Sequence, residues 1–191
     1  MRSVAFAAIL GSTMLVAAPA MAQTAAPFTG ARVEGIVGYD NVKNGDNDDA
    51  VMYGVAAGYD MQMNGLVVGI EGEAADSDVR QCDGLQSAVS PRFCAKAGRD
   101  LYAGARVGTV VGGRTLLYAK AGYTNAQFKL TSDNGTSETT LGKTNLDGIR
   151  AGVGAEYAVG PNSYVKAEYR YSNYEDGFTR NQAVAGFGFR F

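Results

Sequence analysis

Fifteen ionisable side chains set the chemical question in this 191-residue chain, because they recur at alternate positions along short segments. The acids are Glu34, Asp40, Asp60, Glu71, Glu73, Asp100, Glu156 and Glu168. The bases are Arg32, Arg106, Lys120, Arg150, Lys166, Arg170 and Arg190. Such groups could act as general acids, general bases or ion ligands. Acyl-transfer chemistry at neutral pH usually recruits histidine as its base, and the chain contains none. Glu or Lys could substitute, but no pair stands apart from the rest, so no catalytic residue is expected. Near-equal numbers of opposite charges suit mutual neutralisation instead, since an unpaired buried charge costs several kcal/mol. A selective ion path is the sharper alternative.

Other motifs carry less. Asn44-Gly45-Asp46-Asn47-Asp48-Asp49 is acidic enough to hold Ca²⁺ weakly but departs from the EF-hand loop, and reads as a solvated turn. Asn134-Gly135-Thr136 matches a glycosylation acceptor formally and is likewise expected to be a turn. No lysine or arginine block points to nucleic acid. No cofactor and no metal site are implied.

The first residues read as an export signal. Arg2 supplies a positive start, Val4 to Val16 an apolar stretch too short to span a bilayer, and Ala20-Met21-Ala22 a small-residue cleavage site. Residues 1–22 are therefore expected to be a signal peptide and 23–191 one domain. Removal of that prefix leaves 16 basic and 19 acidic residues. In an exported chain Cys82 and Cys94, the sole cysteines, are expected to form a disulfide. A two-cysteine metal site is the alternative, without a histidine to support it.

Eight segments alternate with period two, the half-buried strand pattern: roughly 31–40, 51–60, 66–75, 99–110, 115–125, 146–157, 164–172 and 182–191. Each is close to the length a tilted strand needs to cross a bilayer. Short connections at Met61–Gly65, Val111–Arg114 and Ala158–Ser163 alternate with longer polar ones at Asn41–Ala50, Ser77–Gly98, Ala126–Asn145 and Asn173–Asn181. One face of the eight segments has 36 positions and no charge; the other has 35, of which 15 are charged and 12 are glycine.

Alternation alone fits either a soluble barrel with an apolar cavity or a membrane barrel turned inside out. Glycine gains nothing on a water-facing strand. Inside a narrow barrel it makes room for long charged side chains. The aromatics of the apolar face gather at strand ends, Tyr39, Tyr53, Tyr123 and Tyr171 at one and Tyr59, Tyr157 and Phe191 at the other. Two such girdles suit two membrane interfaces. The expected fold is all-β: an eight-stranded antiparallel up-and-down transmembrane β-barrel, with short periplasmic turns and long outer loops. The lumen charge network would comprise Arg32, Glu34, Glu71, Glu73, Asp100, Arg106, Lys120, Arg150, Glu156, Lys166, Glu168 and Arg170, joined by the three remaining charges above.

The segments Arg32-Val33-Glu34-Gly35, Tyr118-Ala119-Lys120-Ala121-Gly122-Tyr123-Thr124 and Tyr164-Val165-Lys166-Ala167-Glu168-Tyr169-Arg170-Tyr171 carry a family resemblance. The chain resembles the OmpA/OmpX-type outer-membrane β-barrels, more closely the small porin-like surface proteins of alphaproteobacteria. The terminal Phe187, Phe189 and Phe191 are similar to the signal that such barrels offer their assembly machinery. The resemblance covers the mature chain and implies residence in the Gram-negative outer membrane, in contact with its lipids and lipopolysaccharide, as a monomer. It implies a structural or surface-interaction role carried by the outer loops. A narrow porin-like channel for small solutes is the alternative, and a lipid-modifying enzyme comes third. No length remains for the periplasmic cell-wall domain of full OmpA, so that role is not expected.

Overall fold

The computed structural model describes residues 27–44, 46–77, 80–83, 92–133, 138–175 and 179–191. Nine strands follow in chain order: β1 Gly30–Asn44, β2 Asp46–Met63, β3 Leu66–Ser77, β4 Arg80–Asp83, β5 Arg92–Val111, β6 Thr115–Asp133, β7 Glu138–Ala158, β8 Ser163–Tyr174 and β9 Thr179–Arg190. All pairings are antiparallel. β1 pairs with both β2 and β9, and β3 pairs with β5, so the sheet closes on itself. The four-residue β4 follows β3 along the same edge of β5 and adds no stave. The result is a closed eight-stranded antiparallel barrel, and closure leaves no lipid-exposed backbone edge unpaired.

Turn chemistry fixes one end. Asn64 and Gly65 both have positive φ, 48° and 91°, the backbone of a two-residue hairpin that keeps β2 and β3 in register. β5 and β6 turn at Gly112 and Gly113, and β7 and β8 at 159–162.

The other end differs from expectation. The stretches at Asn41–Ala50 and Ala126–Asn145, expected as loops, are largely strand: β1 and β2 pair out to Asn44 and Asp46, β6 and β7 to Asp133 and Glu138. The reason is physical. Beyond the membrane both faces meet water, so hydropathy loses its period while backbone pairing continues. The connection at Ser77–Gly98 likewise contains β4 and the first seven residues of β5, and the one at Asn173–Asn181 shrinks to residues 175–178. The expected signal peptide at 1–22 and the turn at Asn134-Gly135-Thr136 lie outside the described residues, as do the side chains of Asn44 to Asp49.

Candidate functional site: the charged interior and its rims

Alternation decides which side chains enter the lumen, and closure decides which of them meet. All fifteen charged residues read from the sequence are buried inside the barrel. A sixteenth joins them. Arg180, in a stretch read as loop, is 2% exposed. The described interior therefore holds eight acids and eight bases, and every one has at least one partner of opposite sign.

The pairs form one connected network in three tiers. Toward the periplasmic turns, Asp60 meets Arg32 at 3.2 Å, Arg106 at 2.6 Å and Arg190 at 2.9 Å. Glu156 pairs with Arg106 and, at 3.0 Å, with Arg190. In the middle tier Arg32 reaches Glu34 and Glu71, Lys166 reaches Glu34 at 2.5 Å, and Lys120 bridges Glu71 at 2.7 Å to Glu168 at 2.8 Å. Toward the outer rim Glu73 holds Arg170 and Arg150, Asp100 holds Arg150 and Arg180, and Arg180 closes the chain on Asp40.

Inward tyrosines complete the carboxylate shells. Tyr118 donates to Glu168 at 2.7 Å and Tyr164 to Glu34 at 2.8 Å. Cations also sit over rings, with Lys120 4.7 Å from the Tyr102 centroid and Arg190 4.9 Å from that of Tyr164. The interior glycines serve these rings at least as much as the long charged chains foreseen from sequence. A Cβ on Gly188 would lie 2.6 Å from the Tyr164 hydroxyl, and one on Gly154 2.6 Å from that of Tyr118.

Apolar residues also enter the lumen, at inward positions left over from charge and glycine and, with Phe28, from before the first strand. Phe28, Val67, Leu116 and Tyr118 cluster near the turns, and Ile36, Met52, Ala75 and Val184 pack nearer the outer end. Phe28 is anchored there by its backbone N–H, which donates to Gln62 Oε1 at 3.2 Å. No hydropathy signal marks Phe28, because it precedes the first strand and its burial depends on the barrel mouth.

Tyr39, Tyr53, Tyr123 and Tyr171 face outward at one end of the ring, and Tyr59, Tyr157, Phe187, Phe189 and Phe191 face outward toward the other. Phe187 and Phe189 stack edge-on at 5.2 Å between centroids. Just beyond the outer tyrosines, Asp147 accepts hydrogen bonds from the Tyr123 hydroxyl and from Asn125 Nδ2, which together hold its carboxyl below the ordinary carboxylate range. Cys82 stands directly opposite Cys94 in the β4–β5 register, and no described cysteine is free.

The outer membrane protein beta-barrel domain profile matches residues 8–191. The chain belongs to this family. As a member it resides in the outer membrane, its apolar face turned to lipid and its charges turned inward. Two solved structures share the fold. Ail, the attachment invasion locus protein of Yersinia pestis, solved with the heparin analogue sucrose octasulfate, is 19% identical at a TM-score of 0.57, over 85% of this chain and 99% of Ail. Neisserial surface protein A is 18% identical at 0.58, over 85% of this chain and 98% of its own. No curated protein matches the sequence.

Proposed function

We propose that this chain is a plugged outer-membrane scaffold, neither a channel nor an enzyme, whose outer extensions make its biological contacts. One observation carries the reading: sixteen charges of balanced sign are tied into one network across the lumen. An eight-stranded barrel is only wide enough for its side chains to fill. A selective pore would need a path lined mainly by one sign, whereas here each acid and each base is neutralised by a neighbour. The same pairing leaves no interior carboxylate or lysine free to act as an acid or base among the described residues.

In this reading the outward tyrosines anchor the barrel at two interfaces, and lipids and lipopolysaccharide are its immediate surroundings. The terminal phenylalanines are its address for the assembly machinery, and one copy suffices. The test is planar-bilayer recording of the refolded protein. A quiet bilayer at protein levels that insert is expected; long-lived, ion-selective openings would instead make the narrow channel the better reading.

A further inference from the structure

The chain crosses the periplasmic mouth of the barrel before its first strand begins. Gly30, at the head of β1, pairs with Asp60, and Pro27, Phe28 and Thr29 precede it outside every strand ladder. Phe28 is nonetheless wholly buried, its ring set among Val67, Leu116 and Tyr118. Val67 and Leu116 point inward from β3 and β6 next to the periplasmic turns, so the ring closes the mouth at its rim.

The bonds that hold this segment differ in kind from those of the wall. Among the described residues it makes three hydrogen bonds, each with a side chain as one partner. The Phe28 N–H donates to Gln62 Oε1 at 3.2 Å, the Gln62 N–H to Thr29 Oγ1 at 3.0 Å, and Arg190 Nη1 to the Pro27 carbonyl at 3.4 Å. The wall beside it is closed by backbone: the Phe191 N–H donates to the Ala31 carbonyl at 2.8 Å across the β1–β9 seam. Arg190 joins the two. Its Nη2 lies on Asp60 at 2.9 Å and Glu156 at 3.0 Å, while its guanidinium carbon sits 5.2 Å from the Phe28 ring centroid. Withdrawal of the ring would therefore break no ion pair and no ladder bond, and would uncover the lowest tier of the network.

One residue links the segment to the wall. Gly30 has a φ of 124°, and a Cβ there would collide with the Phe191 carbonyl oxygen. Glycine lets the chain leave β1 over the end of β9, and it absorbs a further change of backbone angle more freely than any other residue.

We propose that Pro27–Thr29 is a hinged stopper on the periplasmic mouth. Swinging about Gly30, it withdraws Phe28 and admits periplasmic water to Asp60, Glu156 and Arg190 while the strand ladder stays closed. Burial of one phenyl ring favours the closed form by roughly ten- to a hundredfold, so the open form is a minor state reached by local opening. The stopper stands on its own geometry and holds whether the barrel is a scaffold or a channel.

The test uses the full barrel refolded in micelles, with Cys82 and Cys94 replaced by alanine and one reporter thiol placed in the lumen. Val67→Cys reports from beneath the stopper and Ile36→Cys from the packing nearer the outer end. Each is labelled with a small charged methanethiosulfonate. With the native stopper, Val67→Cys should label slowly, at a rate that urea too dilute to unfold the barrel leaves unchanged, because a local opening exposes little surface. Phe28→Ala should speed that labelling by about tenfold or more and leave Ile36→Cys unchanged, whereas Phe28→Leu, which keeps an apolar plug, should stay close to wild type. Acceleration at both reporters, or a native rate that climbs with urea as steeply as unfolding does, would mean that the barrel opens as a whole. Unchanged labelling of Val67→Cys in Phe28→Ala would mean that the ring closes nothing. Any of these overturns the stopper, and bilayer conductance of the wild type tests the scaffold reading separately.

Discussion

Arg180 of β9 donates from Nε to Asp40 of β1 at 2.6 Å, across the seam where the last strand meets the first. Asp40 has no other cationic partner among the described residues, whereas Asp60 has three. Loss of one cation therefore falls unevenly on the network.

Arg180→Ala is expected to strand the Asp40 carboxylate and destabilise the barrel by roughly 3–5 kcal/mol. Arg106→Ala should cost less, because Arg32 and Arg190 still face Asp60 and Arg190 still faces Glu156. Replacing Arg180 and Asp40 together with apolar residues should recover most of the loss. Urea unfolding in micelles, followed by tyrosine fluorescence, gives the ranking; equal losses for the two arginine variants would contradict it.

Gly188→Ala should cost about 1–3 kcal/mol, the range for forcing extra volume into a packed interior. Its Cβ would meet the Tyr164 ring, 2.6 Å from both Cζ and the hydroxyl. In the Tyr164→Ala background the same change should cost less, a coupling of at least about 1 kcal/mol in a double-mutant cycle, with the remaining loss set by the Glu34 Cβ, 2.8 Å from the added methyl. Additive losses would show that the two positions are independent.

Phe191 is 72% exposed, and its backbone N–H donates to the Ala31 carbonyl at 2.8 Å. Deletion removes apolar contact worth about 2 kcal/mol at most, yet outer-membrane levels should fall far more than that loss explains, with protein retained in the periplasm. Purified, refolded protein should differ little in stability. Normal surface levels of the shortened chain would reduce this end to packing.

Cys82 and Cys94 are separated by eleven residues and paired in register. A disulfide between them is expected to restrain the β4–β5 connection, with a loop-closure effect of roughly 3 kcal/mol on local opening. Thiol labelling of unreduced, denatured protein should detect no free thiol; labelling at both cysteines would rule the bond out.

The sequence by itself determined the staves and their faces. Between Arg32 and Arg190 lipid and lumen make opposite demands, so side chains alternate sharply, and each residue's type shows which way it points. The same contrast placed the tyrosines at strand ends and left Met61–Gly65 as a short connection. It failed where the contrast ends. Above the membrane both faces are wet, so the outer strands carried no period by which to be found, and Arg180, though in phase with the inward Gln182 and Val184, lay just past the end of the segment read as strand. Phe28 was silent for a related reason, its burial being set by the barrel mouth and not by its neighbours in sequence. Partnership lies beyond any such pattern. Alternation gives the face of Tyr164 or Asp60 but not the residue across from it, because closure and register join segments far apart in the chain. Only the tertiary structure could seat Tyr164 over Gly188 and share Asp60 among three arginines.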